Sequence, residues 1–160
     1  MSIMAAPIAE NSCGIIYYVS QTVTWLIVLI GWFVIDKQNN RREQRKEIRA
    51  AIDALGEMLD VLEQDAINFH TSGFDERKGS ELRLAIQRLS ARVGRLSFSE
   101  NVNLNTRIID LRRAITLRNF ESTNHNVQQN DSQIILTIAA AKDSLIDELE
   151  FLFKERFLRH

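Results

Sequence analysis

The longest uncharged, mainly apolar stretch of the chain lies near its start. Residues 15–35 read IIYYVSQTVTWLIVLIGWFVI and carry no charged side chain. About 20 residues of α-helix rise roughly 30 Å, which is the thickness of the hydrocarbon core of a bilayer. The pattern predicts a transmembrane helix over 15–35, a short extracytoplasmic tail over 1–14 and a cytoplasmic helical domain over 36–160. A helix buried in a protein core is the alternative.

After this stretch, apolar residues recur in alternating steps of four and three, as in a heptad repeat. One helix is therefore expected to end near His70. It either continues without a break from the apolar stretch or is interrupted near Asn39 and Asn40. Two glycines and several capping residues in HTSGFDERKGS predict a turn after it. The residues of this first stripe are Ile48, Ile52, Leu55, Leu59, Leu62, Ala66 and Phe69.

Three further stripes with helical spacing follow the first. A polar loop over 122–131, rich in Asn and Gln, separates the last two, and the final helix is expected to begin at Asp131 or Ser132. Amphipathic helices joined by short loops bury their stripes against one another. The sequence therefore predicts an all-α fold, an antiparallel bundle of three or four helices, with a coiled coil between chains as the alternative. The stripes are Leu82, Ile86, Leu89, Val93 and Leu96, then Leu104, Ile108, Leu111 and Ile115, then Ile135, Ile138, Leu145, Leu149 and Leu152.

Basic residues cluster directly after the apolar stretch, whereas the residues before it include no Lys or Arg. Positively charged flanks stay in the cytoplasm, so this asymmetry predicts a single-pass inner-membrane protein with its N-terminus outside and its C-terminal domain cytoplasmic. The same side chains would lie beside anionic headgroups, which makes the lipid bilayer an expected partner. This basic flank consists of Lys37, Arg41, Arg42, Arg45, Lys46 and Arg49.

Small and polar residues fall near one face of the predicted span. Ser20, Thr24 and Gly31 allow a second helix to approach closely, and Gln21 can form a hydrogen bond across such a contact. These four residues are a possible helix–helix interface in the membrane, and they make a homo-oligomer an expected state. The alternative is that the hydroxyl groups bond back to their own helix.

Residues that could perform chemistry are scattered along the chain. His70, His125 and His160 have no second His, Cys or carboxylate at a helical ligand spacing, and neither Glu-x-x-His nor a phosphate-binding glycine loop occurs. We therefore expect no enzyme, no metal, no cofactor and no small-molecule substrate. Residues 36–160 carry 20 basic and 20 acidic side chains, and this neutral balance does not favour a nucleic-acid partner.

The segment GWFVIDKQNNRREQRKEIRAAIDAL, residues 31–55, resembles the membrane exit of many uncharacterised bacterial single-pass inner-membrane proteins. Those proteins have a short apolar N-terminus, an Asn-Asn/Arg-rich juxtamembrane segment and a helical cytoplasmic remainder. The resemblance extends roughly to His70 and implies a bacterial inner-membrane setting. It implies no catalytic residues and no particular function.

The apolar stretch, the heptad stripes and the lack of catalytic motifs together favour an interaction protein. We expect a membrane-anchored helical scaffold module that self-associates or recruits a protein partner at the cytoplasmic face. One alternative is a membrane-perturbing effector of the toxin or phage-defence type, because part of the apolar stretch is polar. Another is an accessory subunit of an envelope complex, docked through the fourth helix, where Lys142 interrupts the apolar stripe.

Overall fold

The fold is known from a computed structural model, which describes the backbone of residues 10–98, 100–121, 123 and 125–158 and the side chains of these residues from Gln21 onward. Every regular element in these residues is a helix, so the all-α prediction is confirmed for the described part of the chain. The helices are α1 (Glu10–Thr71), α2 (Glu76–Val93), α3 (Val102–Thr116) and α4 (Gln133–Leu158).

The chain divides into two compact units, residues 1–44 and residues 45–160. Helix α1 contributes to both units and is continuous over Asn39 and Asn40, so the first of the two alternatives for this region is the correct one. The second unit is a four-helix bundle made by the C-terminal part of α1 with α2, α3 and α4.

Polar contacts between the helices show how the bundle is arranged. Arg83, in the middle of α2, forms an ion pair with Glu121, which follows α3 (3.3 Å). Arg156, near the end of α4, donates a hydrogen bond to the carbonyl of Ser97, which precedes α3 (3.1 Å). The start of α3 therefore lies beside the end of α4, and these two neighbouring helices are antiparallel.

The four apolar stripes meet in one hydrophobic core within a single chain. Every residue of the predicted stripes is buried except Ile48 and Ile108, which are partly buried against the same core. Burying one such side chain contributes about 1.5–3 kcal/mol relative to leaving it exposed. Phe120, after α3, and Phe153, in α4, join the core as well.

Short side chains fix the starts of two helices. The carboxylate of Asp75 accepts hydrogen bonds from the backbone N–H groups of Arg77 and Lys78 at the start of α2. The side chain of Asn101 accepts in the same way from the first turn of α3. These caps satisfy backbone donors that have no partner inside the helix.

The polar stretch before α4 has no regular structure in its described residues, and α4 begins at Gln133, one residue after the expected start.

The prediction of a membrane span is wrong. No helix in the described part of the chain is long and apolar enough to cross a membrane. The predicted transmembrane helix over 15–35 is therefore corrected, together with the single-pass inner-membrane location, the outward N-terminus and the cytoplasmic C-terminal domain. The physical reason is length: the strongly apolar part, Val23–Ile35, has 13 residues and is followed by Asp36 and Lys37. Such a helix rises about 20 Å, short of a hydrocarbon core of roughly 30 Å.

The predicted tail over 1–14 is also affected by this correction. Its first nine residues lie outside the described part of the chain. Residues 10–14 belong to α1, which begins at Glu10.

Candidate interaction surfaces

The large hydrophobic side chains of the strongly apolar part of α1 are exposed among the residues that the structure describes. This apolar segment, Val23–Ile35, contains eleven large hydrophobic side chains, which are 47–69% exposed. Because these residues are nearly consecutive, they point to all sides of the helix. Soluble monomeric proteins rarely expose contiguous apolar patches of more than a few hundred Å². The apolar segment is therefore a candidate site for contact with another apolar surface.

Of the four predicted interface residues, two lie within the apolar segment and a third lies two residues before it. Gln21, Thr24 and Gly31 are exposed. A Cβ atom added at Gly31 would meet nothing within 4 Å, so the backbone there is open to an approaching helix. The side chain of Ser20 lies outside the described residues.

The basic flank is split between the two units. Lys37, Arg41 and Arg42 belong to the first unit, and all six side chains of the flank are exposed. In the second unit Arg49 forms ion pairs with Asp53, one turn later in α1 (3.0 Å), and with Glu150 of α4 (2.7 Å). Arg49 therefore helps to join two helices of the bundle, a role that the sequence did not indicate.

Lys142 has a comparable role on α4. The sequence suggested that it marks a face open to water or a partner, but the structure places it against α1. Its ammonium group forms ion pairs with Glu63 (2.7 Å) and Asp60 (3.1 Å), and the side chain is only 15% exposed. The hydrogen bond to Glu63 is the main cause of a raised pKa for Lys142. This site stabilises the α1–α4 contact and leaves no free cation there for a partner.

A polar cluster that the sequence did not predict surrounds His70 at the end of α1. The ring is fully buried, and its Nε2 lies 3.1 Å from the carbonyl oxygen of Ile115 in α3. The side-chain amide of Asn119 donates to Nδ1 (3.2 Å). This pattern fits a neutral ring that carries its hydrogen on Nε2. Burial lowers the pKa of His70, and the nearby His125 lowers it further, which agrees with the neutral form.

His125 connects the polar loop to both α1 and the end of α3. Its Nε2 lies 2.9 Å from the carbonyl oxygen of Ser72, and its Nδ1 lies 3.0 Å from that of Asn119. Carbonyl groups only accept hydrogen bonds, so the ring satisfies both when both nitrogens carry hydrogen. Asn119, with a positive φ of 56°, also accepts from the backbone N–H of Asn126. The loop is thereby attached to the bundle at several points.

Basic side chains gather on α3. Between 102 and 118 the chain has four arginines and one carboxylate, Asp110. All four arginines are exposed, and within the described residues none of them forms an ion pair. Exposed hydrophobic side chains lie among them. We call this the α3 surface, and it consists of Val102, Arg107, Ile109, Arg112, Arg113, Leu117 and Arg118.

Two grooves border the α3 surface. The groove between α3 and α4 has a volume of about 500 Å³ and is lined partly by Arg107, Arg113 and Leu117. The groove between α2 and α3 has a volume of about 590 Å³, with Arg112 and Thr116 in its wall. Both combine basic groups with apolar lining, which suits a protein segment better than a small polar molecule.

Neither the described residues nor known proteins assign a chemistry to the chain. Within the part that the structure describes, no three His, Cys, Asp or Glu side chains come together where they could hold a metal ion. Comparison of the chain with protein-family models, with curated proteins and with solved structures found no match. The expected lack of enzymatic activity, and the resemblance of residues 31–55 to bacterial proteins, therefore stay predictions.

Proposed function

We propose that this chain is a helical interaction module that self-associates by packing the apolar segments of several copies against one another. The observation that carries the proposal is the exposure of eleven large hydrophobic side chains over Val23–Ile35. The bundle of residues 45–160 supplies a folded domain that such an assembly would bring together in several copies.

The size of the exposed area supports this proposal. If each of these half-exposed side chains presents on the order of 100 Å², the segment presents on the order of 1,000 Å². A stable protein–protein interface of standard size buries about 800 Å² on each partner. One apolar segment therefore has enough area for a stable contact, and the contact would remove from water a patch larger than those of ordinary monomers.

The distribution of the area around the helix favours more than two copies. A second helix of similar width covers roughly half of the circumference, because side chains at i, i+3, i+4 and i+7 form only one face. Leu26, Ile30 and Phe33 share one face, while Val28 and Ile35 lie on the opposite one. Covering both faces with equivalent helices requires at least three copies side by side. Gly31, which lacks a Cβ, permits close approach.

Sedimentation of the full chain with face-specific variants tests this proposal. One variant carries Leu26→Gln, Ile30→Gln and Phe33→Gln, and a second carries Val28→Gln and Ile35→Gln on the opposite face. Gln retains helix propensity and removes apolar area. We expect the unsubstituted chain to sediment as an oligomer of three or more copies, and each variant to dissociate toward smaller species.

The matched control alters exposed hydrophobic side chains outside the segment. Leu84→Gln, Leu136→Gln and Leu158→Gln remove similar apolar area at half-exposed positions of the bundle. This variant should sediment like the unsubstituted chain. A monomeric unsubstituted chain, or equal effects of the control and the segment variants, would contradict the proposal. Flotation of the chain with phospholipid vesicles in place of assembly would contradict it as well.

A further inference from the structure

The bundle divides its charge between two of its helices. Helix α1 is joined to α4 by the ion pairs of Arg49 and Lys142, and α3 also packs against α4. Residues 50–68 of α1 include five acidic side chains and no basic one. Residues 102–118, by contrast, include four arginines and a single aspartate. The exposed side of α1 is therefore acidic, and that of α3 is basic.

The acidic side also exposes hydrophobic area at its centre. Glu57, Val61 and Asp65 follow one another at four-residue intervals along the outer face of α1, and all three are exposed. Val61 is 62% exposed. Neither Glu57 nor Asp65 forms an ion pair within the part of the chain that the structure describes. We call Glu57, Val61 and Asp65 the α1 surface.

The two surfaces match in charge and in apolar content. Ile109 of α3 and Leu117, which directly follows α3, are eight residues apart with Arg113 between them, so apolar and basic groups alternate along about 12 Å. On α1, one apolar group lies between two carboxylates over the same length. Opposite potentials on facing surfaces steer association and fix its orientation, while the apolar groups become buried.

A nucleic acid is the other partner that a basic surface could bind. Binding of single strands generally uses aromatic side chains on which bases stack. The only aromatic residue between 76 and 118 is Phe98, which is packed against the core. Hydrophobic groups such as Leu117, which is 72% exposed, gain nothing from a phosphate backbone. These observations favour a protein partner with acidic and apolar groups.

We infer that the α3 surface of one copy binds the α1 surface of a second copy. The two surfaces differ, so the contact is heterologous and joins copies head to tail into rings or chains. It is made by the bundle of residues 45–160 and does not require the apolar segment. The inference thus goes beyond the proposed function, adding a second contact that depends on charge.

Charge reversal in matched variants tests this contact. The first variant, Arg107→Glu with Arg113→Glu, makes the α3 surface acidic. The second, Glu57→Arg with Asp65→Arg, makes the α1 surface basic. Both are made in the full chain that also carries the five Gln substitutions in the apolar segment, so that this segment no longer contributes. Circular dichroism at 222 nm establishes that each variant keeps its helical content.

Sedimentation of each variant alone and of an equimolar mixture gives the result. We expect the parent chain to associate at about 0.05 M salt and much less at about 0.5 M, because exposed charges are then screened. Each variant alone should associate on the order of tenfold more weakly than the parent. The mixture should recover association, since the acidic α3 surface of one variant then faces the basic α1 surface of the other.

A control separates this contact from general effects of charge. Arg95→Glu with Lys154→Glu makes the same change of charge at exposed positions away from both surfaces, and it should behave like the parent. Unchanged association in the charge-reversal variants, or a mixture that does not recover it, would overturn the inference. Binding of a single-stranded oligonucleotide that the Arg107 and Arg113 substitutions abolish would overturn it in favour of a nucleic acid. If the apolar-segment variants have no effect but the mixture recovers association, only the proposed function fails.

Discussion

Replacement of Asn119 by Gly and by Ala separates two contributions to the polar cluster between α1, α3 and the loop before α4. The Asn119 side chain donates to His70 Nδ1 and accepts from the backbone N–H of Asn126. Its backbone has a φ of 56°, a conformation that glycine adopts without cost and that Asn tolerates better than Ala. Gly removes only the side-chain bonds, whereas Ala removes the same bonds and is also strained.

The magnitudes follow from these two differences. Each of the two hydrogen bonds contributes about 0.5–1.5 kcal/mol net, so Asn119→Gly should lower the free energy of unfolding by about 1–3 kcal/mol. A left-handed conformation costs an ordinary L-residue about 1–2 kcal/mol, and the lower entropy of unfolded Ala offsets about 0.4–1 kcal/mol of that. Asn119→Ala should therefore be less stable than Asn119→Gly by up to about 1.5 kcal/mol.

Urea unfolding of the full chain, followed by circular dichroism at 222 nm and at one protein concentration, measures both differences. Asn105 provides the matched control because it is an exposed residue within α3. There the order should be reversed, with Ala about 1 kcal/mol more stable than Gly, since Gly is unfavourable inside a helix. If Asn119→Ala exceeds Asn119→Gly in stability by as much as the same pair does at Asn105, the positive φ does not matter. If both equal the unsubstituted chain, the two hydrogen bonds contribute nothing.

Two further predictions concern the buried and half-buried ionisable groups. Lys142→Met keeps the apolar stem but leaves Glu63 without its cation. The free energy of unfolding measured in urea should therefore fall by about 1 kcal/mol. The difference should shrink in about 1 M salt, and the exposed Lys154→Met should change the midpoint little. Burial lowers the pKa of His70 below its ordinary value of 6.5. The stability that its neutral ring contributes is therefore complete above pH 6.5, and it is lost as the pH falls through the lowered pKa. Unfolding free energies measured from pH 8 to pH 5 should therefore fall less steeply for His70→Gln than for the unsubstituted chain, and parallel curves would contradict this assignment.

The heptad spacing was enough to predict the bundle but not its polar contacts. Apolar residues such as Leu59 and Leu89 are buried because a helix places every third or fourth residue on one face, which is a local property of the sequence. Lys142 breaks the same spacing, and from the sequence it looked like a residue on an open face. Its partners Asp60 and Glu63 are about 80 residues away in the chain, at separations of 82 and 79, so no local pattern indicates the pairing.

The polar cluster around His70 could not be predicted from the sequence for the same reason. His125 was expected to lie in a loop, and it does, but its ring bonds to the backbone of Ser72, 53 residues earlier. A carbonyl oxygen is present at every residue, so the sequence carries no signal for such a contact. Asn119 gave a weak signal, since Asn is enriched among residues with positive φ, but the position of a bend cannot be inferred from one Asn in an Asn-rich stretch.

The apolar segment shows a different limit. Its hydrophobic character was recognised from the sequence, and its assignment to a membrane was wrong because a stretch of 13 residues was extended through a polar region to reach the length of a span. The exposure of the same side chains is observed independently of that assignment. The expectation of self-association remains, and it now concerns the exposed side chains of the apolar segment, Val23–Ile35.

The two proposed contacts should respond to salt in opposite directions, because one depends on apolar burial and the other on charge. Excluded salts such as sulfate strengthen the burial of apolar area, so they should favour association through Val23–Ile35. The same salts screen Arg107 and Arg113 from Glu57 and Asp65 and should weaken the head-to-tail contact. A chain that uses both contacts should therefore lose its larger assemblies at high salt while keeping its smallest oligomers. Each contact also lies in a different unit of the chain, so substitutions in one can be combined with substitutions in the other, and additive effects on assembly would show that the contacts act independently.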